Sequence, residues 1–237
     1  MNASAKNEAA YRARWRAGKR IVRMRPHLWR SLEPKLRDEP ILEIGAGLRP
    51  TVPPRGSYFA DISDEALRVL ERLGGKPLDV STRIPLEDDS LAAVFAFEVL
   101  EHVDDDVTLL KEISRTVRTG GLLVCSVPLR MKHWSRLDDL AGHVRRYEPE
   151  ELFAKIRDAR FRLDRLEYRY GHPSEMGDRF ATWMLRRLPR FTNLALQRAI
   201  FPFQSRMQGW FGKLRWSDPE APVPASATGV CLVAVRR

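Results

Sequence analysis

Between Ile41 and Pro128 short unbroken apolar runs alternate with segments whose apolar residues recur every three or four positions. That is the pattern of parallel strands joined by crossover helices. The runs "ILEIGAG", "YFADIS", "KPLDV", "LAAVFAFEVL" and "LLVCSVP" predict strands one to five. "DEALRVLERLGG" puts Leu67, Leu70 and Leu73 on one face before a glycine stop and predicts a helix between strands two and three. Asp104, Asp105 and Asp106 predict the capped start of a second helix, with Val107, Leu110, Ile113 and Val117 inward and "TGG" as its end. "YEPEELFAKIRDARF" predicts a helix with Pro149 near its first turn, "RLDRLEYRYG" a sixth strand and "TGVCLVAVRR" a seventh. Basic helices are expected over residues 1–37.

Composition adds a size and a compartment. At 237 residues and 43% hydrophobic, the chain can bury one large core, or one core with an appendage. Cys125 and Cys231 both lie in apolar strand-like runs, so buried thiols are expected rather than a disulfide or a metal pair. No apolar run approaches the roughly 18 residues of a membrane span. The N-terminus carries seven basic residues between Arg12 and Arg25 without the apolar segment of a secretion signal, so a cytoplasmic location is expected.

Charge is unevenly spread. The formal +10 divides into +9 over residues 1–37, −7 over 38–144 and +8 over 145–237. Basic ends of this kind suit nucleic acid, anionic lipid or an acidic substrate, and they equally suit solvated helix faces.

The "ILEIGAGLRP" stretch carries the first chemistry. A dinucleotide fingerprint would continue Gly45-x-Gly47 to a third glycine inside a helix whose amides hold a pyrophosphate. Here that position is Pro50, and Pro53 and Pro54 follow, so no regular helix can start there. The pattern therefore points to a cofactor without phosphates, for which glycines allow close approach and acids bind polar groups; S-adenosylmethionine is one.

The series "LEIGAG…YFADIS…LDV…FAFEVLEHV…LLKEISRTVRTGGLLVCSVP…GHVRRYEPEEL" resembles the class I S-adenosylmethionine-dependent methyltransferases, in particular the type-11 group, over about residues 38–170 and again in the last strand. The resemblance implies an α/β, Rossmann-like seven-stranded sheet with its last strand antiparallel and helices on both faces. It implies that Glu43 and the Gly45–Ala46–Gly47 turn face the methionine tail of the cofactor. Asp61, with Ile62 beside it, would accept the ribose hydroxyls. Asp79 would accept the adenine amino group while Val80 packs on the ring, and Phe97 and Glu98 would line the methionine side. A sulfonium methyl needs no metal and no covalent catalyst, and no metal site is expected.

Candidate acceptor residues follow from position. His102 and His143 come after strands four and five, where open parallel sheets bind ligands, and either could serve as general base toward a hydroxyl. Arg146 and Tyr147 could grip an anionic or sugar-like acceptor.

The domain organisation expected is a basic extension over 1–37, a cofactor-binding domain over 38–171 and 226–237, and a helical lid or insertion over 172–225. Within the last, residues 178–216 hold eight Lys/Arg against one acid, interleaved with Phe180, Trp183, Phe191, Phe201, Phe203, Trp210, Phe211 and Trp216. Such a segment suits peripheral contact with an anionic membrane, a lid over an apolar acceptor, or a homodimer helix. The expected function is methyl transfer to a hydroxyl or carboxyl of a small-molecule, lipid-like or glycan acceptor. The alternatives are an RNA methyltransferase using the basic N-terminus and a methyltransferase-like scaffold without cofactor.

Overall fold

A computed structural model describes residues 25–80, 83–170 and 215–237. Seven strands make one sheet: β1 Ile41–Ile44, β2 Tyr58–Ala60, β3 Lys76–Pro77, β4 Leu91–Phe97, β5 Val117–Pro128, β6 Phe161–Tyr170 and β7 Ala227–Arg236. Their order is β3-β2-β1-β4-β5-β7-β6. The first five pair in parallel, and β7 runs antiparallel to both β5 and β6. The mixed seven-stranded sheet with an antiparallel last strand is the one that the resemblance implies.

Period-two alternation in the strands is concealed because both faces are buried. Leu42, Ile44, Val94, Ala96, Leu123 and Cys125 pack on one side against Leu109, Leu110 and Ile113 of helix α3 (Asp106–Thr116) and Leu152, Phe153 and Ile156 of α5 (Pro149–Asp158). On the other side Ile41, Ala93, Phe95, Leu122, Val124 and Val233 meet Leu28, Trp29, Leu32 and Leu36 of α1 (Pro26–Leu36). The remaining helices are α2 (Asp64–Arg72) and α4 (Arg136–Ala141). Strand order reverses between β1 and β4, so the crevice for a ligand lies at their carboxyl ends.

Some boundaries differ from the sequence pattern. Of the three aspartates Asp105 caps α3, accepting from the Thr108 amide at 2.9 Å. Val107 is then exposed and Leu109 takes the inner position. "TGG" does not end that helix. It lies inside β5, where a register shift opposite Leu91 and Ala93 places Gly121 so close to the Ala92 carbonyl that a Cβ would come within 2.9 Å. On α2 the buried face is Ala66, Val69 and Leu70, with Leu73 exposed. Both cysteines are buried free thiols.

Residues 1–24 and 171–214 lie outside the described residues, as do most of the predicted basic extension, most of the 172–225 insertion and nearly all of the 178–216 segment. At its end Trp216 packs on the α1 face of the sheet, with the Arg165 guanidinium 5.5 Å from its ring. Among the described residues no helix is long and apolar enough to cross a membrane.

The loop after β5 is fastened by a buried ionic knot. The carboxylate of Asp106 accepts from the Tyr147 hydroxyl at 2.6 Å and from Lys155 Nζ at 2.8 Å, with Arg145 at 3.1 Å. The same hydroxyl lies 3.1 Å from the Leu100 carbonyl. Removing the hydroxyl leaves Asp106 its cations but loses a charge-assisted bond. Tyr147→Phe should therefore lower the unfolding free energy by about 2 kcal/mol, read as a lower urea midpoint at unchanged slope.

Candidate active site at the strand tips

The loop leaving β1 is built around two carboxylates. Gly45 and Gly47 both adopt positive φ (71° and 54°). A Cβ on Gly45 would meet Val99 Cγ2 at 2.6 Å, so the turn closes directly onto the chain leaving β4. The Gly45 amide donates to the Ala60 carbonyl at 2.8 Å, and the Gly47 amide donates to Asp61 Oδ2 at 2.7 Å. Asp61 Oδ1 accepts from the Ser63 amide at 2.8 Å, and Ser63 Oγ in turn caps α2 through the Ala66 amide. One side chain thus ties the glycine turn to the start of the next helix. Burial pushes the Asp61 carboxyl up, opposed by the Gly47 and Ser63 amides.

Glu43 does for the proline-rich part of the loop what a helix would otherwise do. Its buried carboxylate accepts from the Thr51 amide at 3.0 and 2.9 Å and from the Val52 amide at 3.1 Å. Burial raises its pKa to about 7, against the pull of those amides and of Arg25.

A cavity of about 430 Å³ opens beside this turn, within the range of small-molecule sites. Asp61, Ile62, Leu67, Leu78, Asp79 and Val80 line it. Four of the predicted cofactor residues, Asp61, Ile62, Asp79 and Val80, therefore share one cavity. Glu43 lies buried behind the turn, and Ala46 is buried in it.

Phe97 and Glu98 end β4 on the other side of the turn. Arg25 stacks over the Phe97 ring at 4.1 Å and donates to Ser126 Oγ at 3.3 Å. Glu98, at φ 53°, accepts from Ser126 Oγ at 2.6 Å and from Arg169 at 2.7 Å. Burial raises its pKa, but Arg169, Ser126 and Arg25 outweigh that, and the net shift is downward. Nothing in the sequence marks Arg169 or Ser126 for this role, because they arrive from two other strands.

The two histidines meet across a loop contact. Val144 N donates to the Glu101 carbonyl at 2.9 Å, which lays the 142–144 segment on the 3-10 turn Leu100–His102. The imidazoles of His102 and His143 pack edge to face with centroids 4.8 Å apart. His102 Nδ1 is 3.2 Å from the Gly142 carbonyl, and His143 Nδ1 is 2.7 Å from Asp138 Oδ1. Burial, with His143 beside it, lowers the His102 pKa to about 4.

Glu101 lies beneath this pair. It is fully buried, neither carboxyl oxygen has a hydrogen-bond partner among the described residues, and Oε1 is 3.9 Å from His143 Nε2. Burial and the neighbouring Glu98 push its pKa well above the usual range. The donor atoms of Glu101, His102 and His143 all lie within 4.8 Å of one another. That spread is loose for coordination, because bonds near 2 Å bring ligand atoms to roughly 3.4 Å apart.

Arg146 and Tyr147, expected to face an acceptor, are placed otherwise. Arg146 Nε and Nη2 each reach an oxygen of Asp138 at 2.9 Å, and Tyr147 is buried on Asp106. Asp138 was not legible as a site residue; its five-residue spacing from His143 is the only sequence signal.

Residues 45–125 match the family model described as "Methyltransferase domain", type 11. Over those residues the chain is similar to the type-11 S-adenosylmethionine-dependent methyltransferases. Two curated Mycobacterium tuberculosis proteins, from strains CDC 1551 and H37Rv, are each called "Probable S-adenosylmethionine-dependent methyltransferase" and are 34% identical over 80 residues. Those residues make up 33% of this chain and 29% of each relative. Solved structures share the fold at low identity. A Thermotoga maritima methyltransferase, described as a possible histamine N-methyltransferase, aligns over 98% of this chain and 91% of its own at 17% identity and a TM-score of 0.55. The Streptomyces coelicolor geranyl diphosphate C-methyltransferase, solved with Mg2+, geranyl diphosphate and S-adenosyl-L-homocysteine, aligns over 89% and 78% at 15% and 0.53. The [4+2]-cyclase SpnF aligns over 98% and 92% at 13% and 0.57. The fold is thus shared by proteins of differing chemistry.

The buried Glu43 carboxyl leads to a pH prediction. Its folded pKa of about 7 exceeds the ordinary 4.5, so the folded state keeps a proton that the unfolded state has lost. Its contribution to stability therefore declines as pH rises from about 4.5 through about 7. Denaturation of wild type and Glu43→Gln at pH 4.5 and pH 8 should show the wild type losing about 3 kcal/mol relative to the variant over that interval.

Proposed function

We propose that this chain transfers a methyl group from S-adenosylmethionine to a hydroxyl or carboxyl of a small-molecule, lipid-like or glycan acceptor. The observation that carries the reading is the cavity of about 430 Å³ holding Asp61 and Asp79 beside a glycine turn that offers no helix N-terminus. A cofactor with hydroxyls and an amino group but no phosphate fits that donor set, since carboxylates accept and would repel phosphate.

Asp61 would accept the ribose hydroxyls and Asp79 the adenine amino group, with Ile62 and Val80 against the ring. The Gly45–Ala46–Gly47 turn, Phe97, Glu98 and Glu43 behind them would receive the methionine portion. Bound there, S-adenosylmethionine supplies an electrophilic methyl group on a sulfonium. The chain's own work is to align an acceptor in line with that group, exclude water and take up the acceptor's proton. His143 and His102, grouped after β4 and β5, are the bases of this reading.

The reading includes a cytoplasmic protein whose basic aromatic segment 178–216 borders the acceptor, an anionic membrane surface or a second subunit. Its support there is the sequence pattern alone.

Calorimetry with S-adenosylmethionine and S-adenosylhomocysteine tests the proposal. One-to-one binding is expected, weakened at least tenfold, about 1.4 kcal/mol, by Asp61→Ala and also weakened by Asp79→Ala elsewhere in the cavity wall. No heat at millimolar ligand would overturn it in favour of a scaffold without cofactor.

A further inference from the structure

Two histidines stand together after β4 and β5, and their surroundings are chemically unequal. His102 has Nδ1 at 3.2 Å from a neutral peptide carbonyl. His143 has Nδ1 at 2.7 Å from a carboxylate. That carboxylate, Asp138, is itself buried and fixed on every side. Arg146 grips it through Nε and Nη2 at 2.9 Å each, and Ser135 reaches Oδ2 through its amide at 2.8 Å and its hydroxyl at 3.1 Å. The Ser135 contact is one half of a capping box, so the carboxylate is anchored at the first turn of α4.

We propose that Asp138 is the positioning residue for His143, holding its ring with the proton on Nδ1 and the Nε2 lone pair free to take a proton from the methyl acceptor. This rests on the methyl-transfer reading above and selects between its two histidines. A buried carboxylate cannot accept from Nδ1 unless Nδ1 carries the hydrogen, which leaves Nε2 as the basic atom. The same carboxylate stabilises the imidazolium formed when Nε2 is protonated, which a peptide carbonyl does far less well. His102, with its pKa lowered to about 4 by burial beside His143, is a poor proton acceptor near neutrality.

The groups facing His143 are consistent with this. Asp138 comes from α4, Arg146 from the loop behind it, and Glu101 and His102 from the 3-10 turn. Arg146 is paired with Asp138, and burial and Glu98 push the Glu101 carboxyl well above its usual range, which favours its uncharged form. In the step itself, the acceptor oxygen gains the methyl group and loses its proton to Nε2. The electron pair of the broken sulfur–carbon bond stays on sulfur as a neutral thioether, and the imidazolium later returns its proton to solvent. Arg146 thereby acts on Asp138 and does not grip an acceptor.

The test uses the full chain with histidine labelled in both ring nitrogens. In wild type, long-range proton–nitrogen correlation at pH 8 should show His143 as the Nδ1–H tautomer. Diethyl pyrocarbonate, followed site by site by mass spectrometry at pH 8, should modify its Nε2. Asp138→Asn should shift His143 toward the Nε2–H tautomer and slow that modification at least fivefold, while Asp138→Glu restores both and S-adenosylhomocysteine affinity is unchanged. Should Asp138→Asn fail to fold, Arg146→Gln, which frees the carboxylate to move, should slow the modification to a lesser extent. A His143 tautomer and Nε2 reactivity indifferent to Asp138 would overturn the proposal. If these signatures hold but no cofactor binds the wild type, the dyad stands and the methyl-transfer reading falls.

Discussion

A chain that leaves a buried strand without entering a helix must find partners for a run of backbone amides, and here two carboxylates provide them. Glu43 takes the amides of Thr51 and Val52, and Asp61 takes those of Gly47 and Ser63. Buried amides left unpaired would each cost on the order of 1–3 kcal/mol, so the shape of the loop depends on these acids. The proline-rich segment 50–54 can then run without helical structure. Asp61, with Asp79 in the same cavity, offers hydrogen-bond acceptors where a phosphate site would offer the donors of a helix end. Structure and ligand chemistry are therefore linked through the same side chains, because an acid that shapes the turn also excludes the commoner cofactors.

Much of the sheet was legible because its strands are short apolar runs bounded by glycine, proline or aspartate, and a parallel sheet covered on both faces needs no alternation. The misreadings have local causes. Val107 and Val117 looked like an inner helical face, but α3 starts at Asp106, so Leu109 turns inward and Val117 becomes the first residue of β5. "TGG" looked like a helix stop, yet its glycines serve a strand irregularity where backbone from β4 comes too near for a side chain.

The cofactor side of the site was easier to read than the acceptor side for a physical reason. Asp61, Ile62, Asp79 and Val80 follow their strands directly, so sequence position fixes spatial position. Arg146 and Tyr147 lie on a loop, where neighbouring charges decide which way a side chain turns. Asp138 claims one and Asp106 the other, and both acids were read only as features of helix starts or not at all. Glu101 was hidden by its own motif, since a buried carboxyl with no hydrogen-bond partner among the described residues looks in sequence like any other helix acid.

Residues 45–125 are similar to a methyltransferase domain, while the fold is shared with a cyclase, so the decisive question concerns the ligand at the strand tips. The most direct measurement is a crystal structure of the chain grown with S-adenosylhomocysteine. The account predicts density in the cavity beside the glycine turn, with ribose oxygens on Asp61 and the adenine edge on Asp79 against Val80. Well-ordered ligand elsewhere, or a cavity filled by protein side chains at saturating ligand, would contradict it.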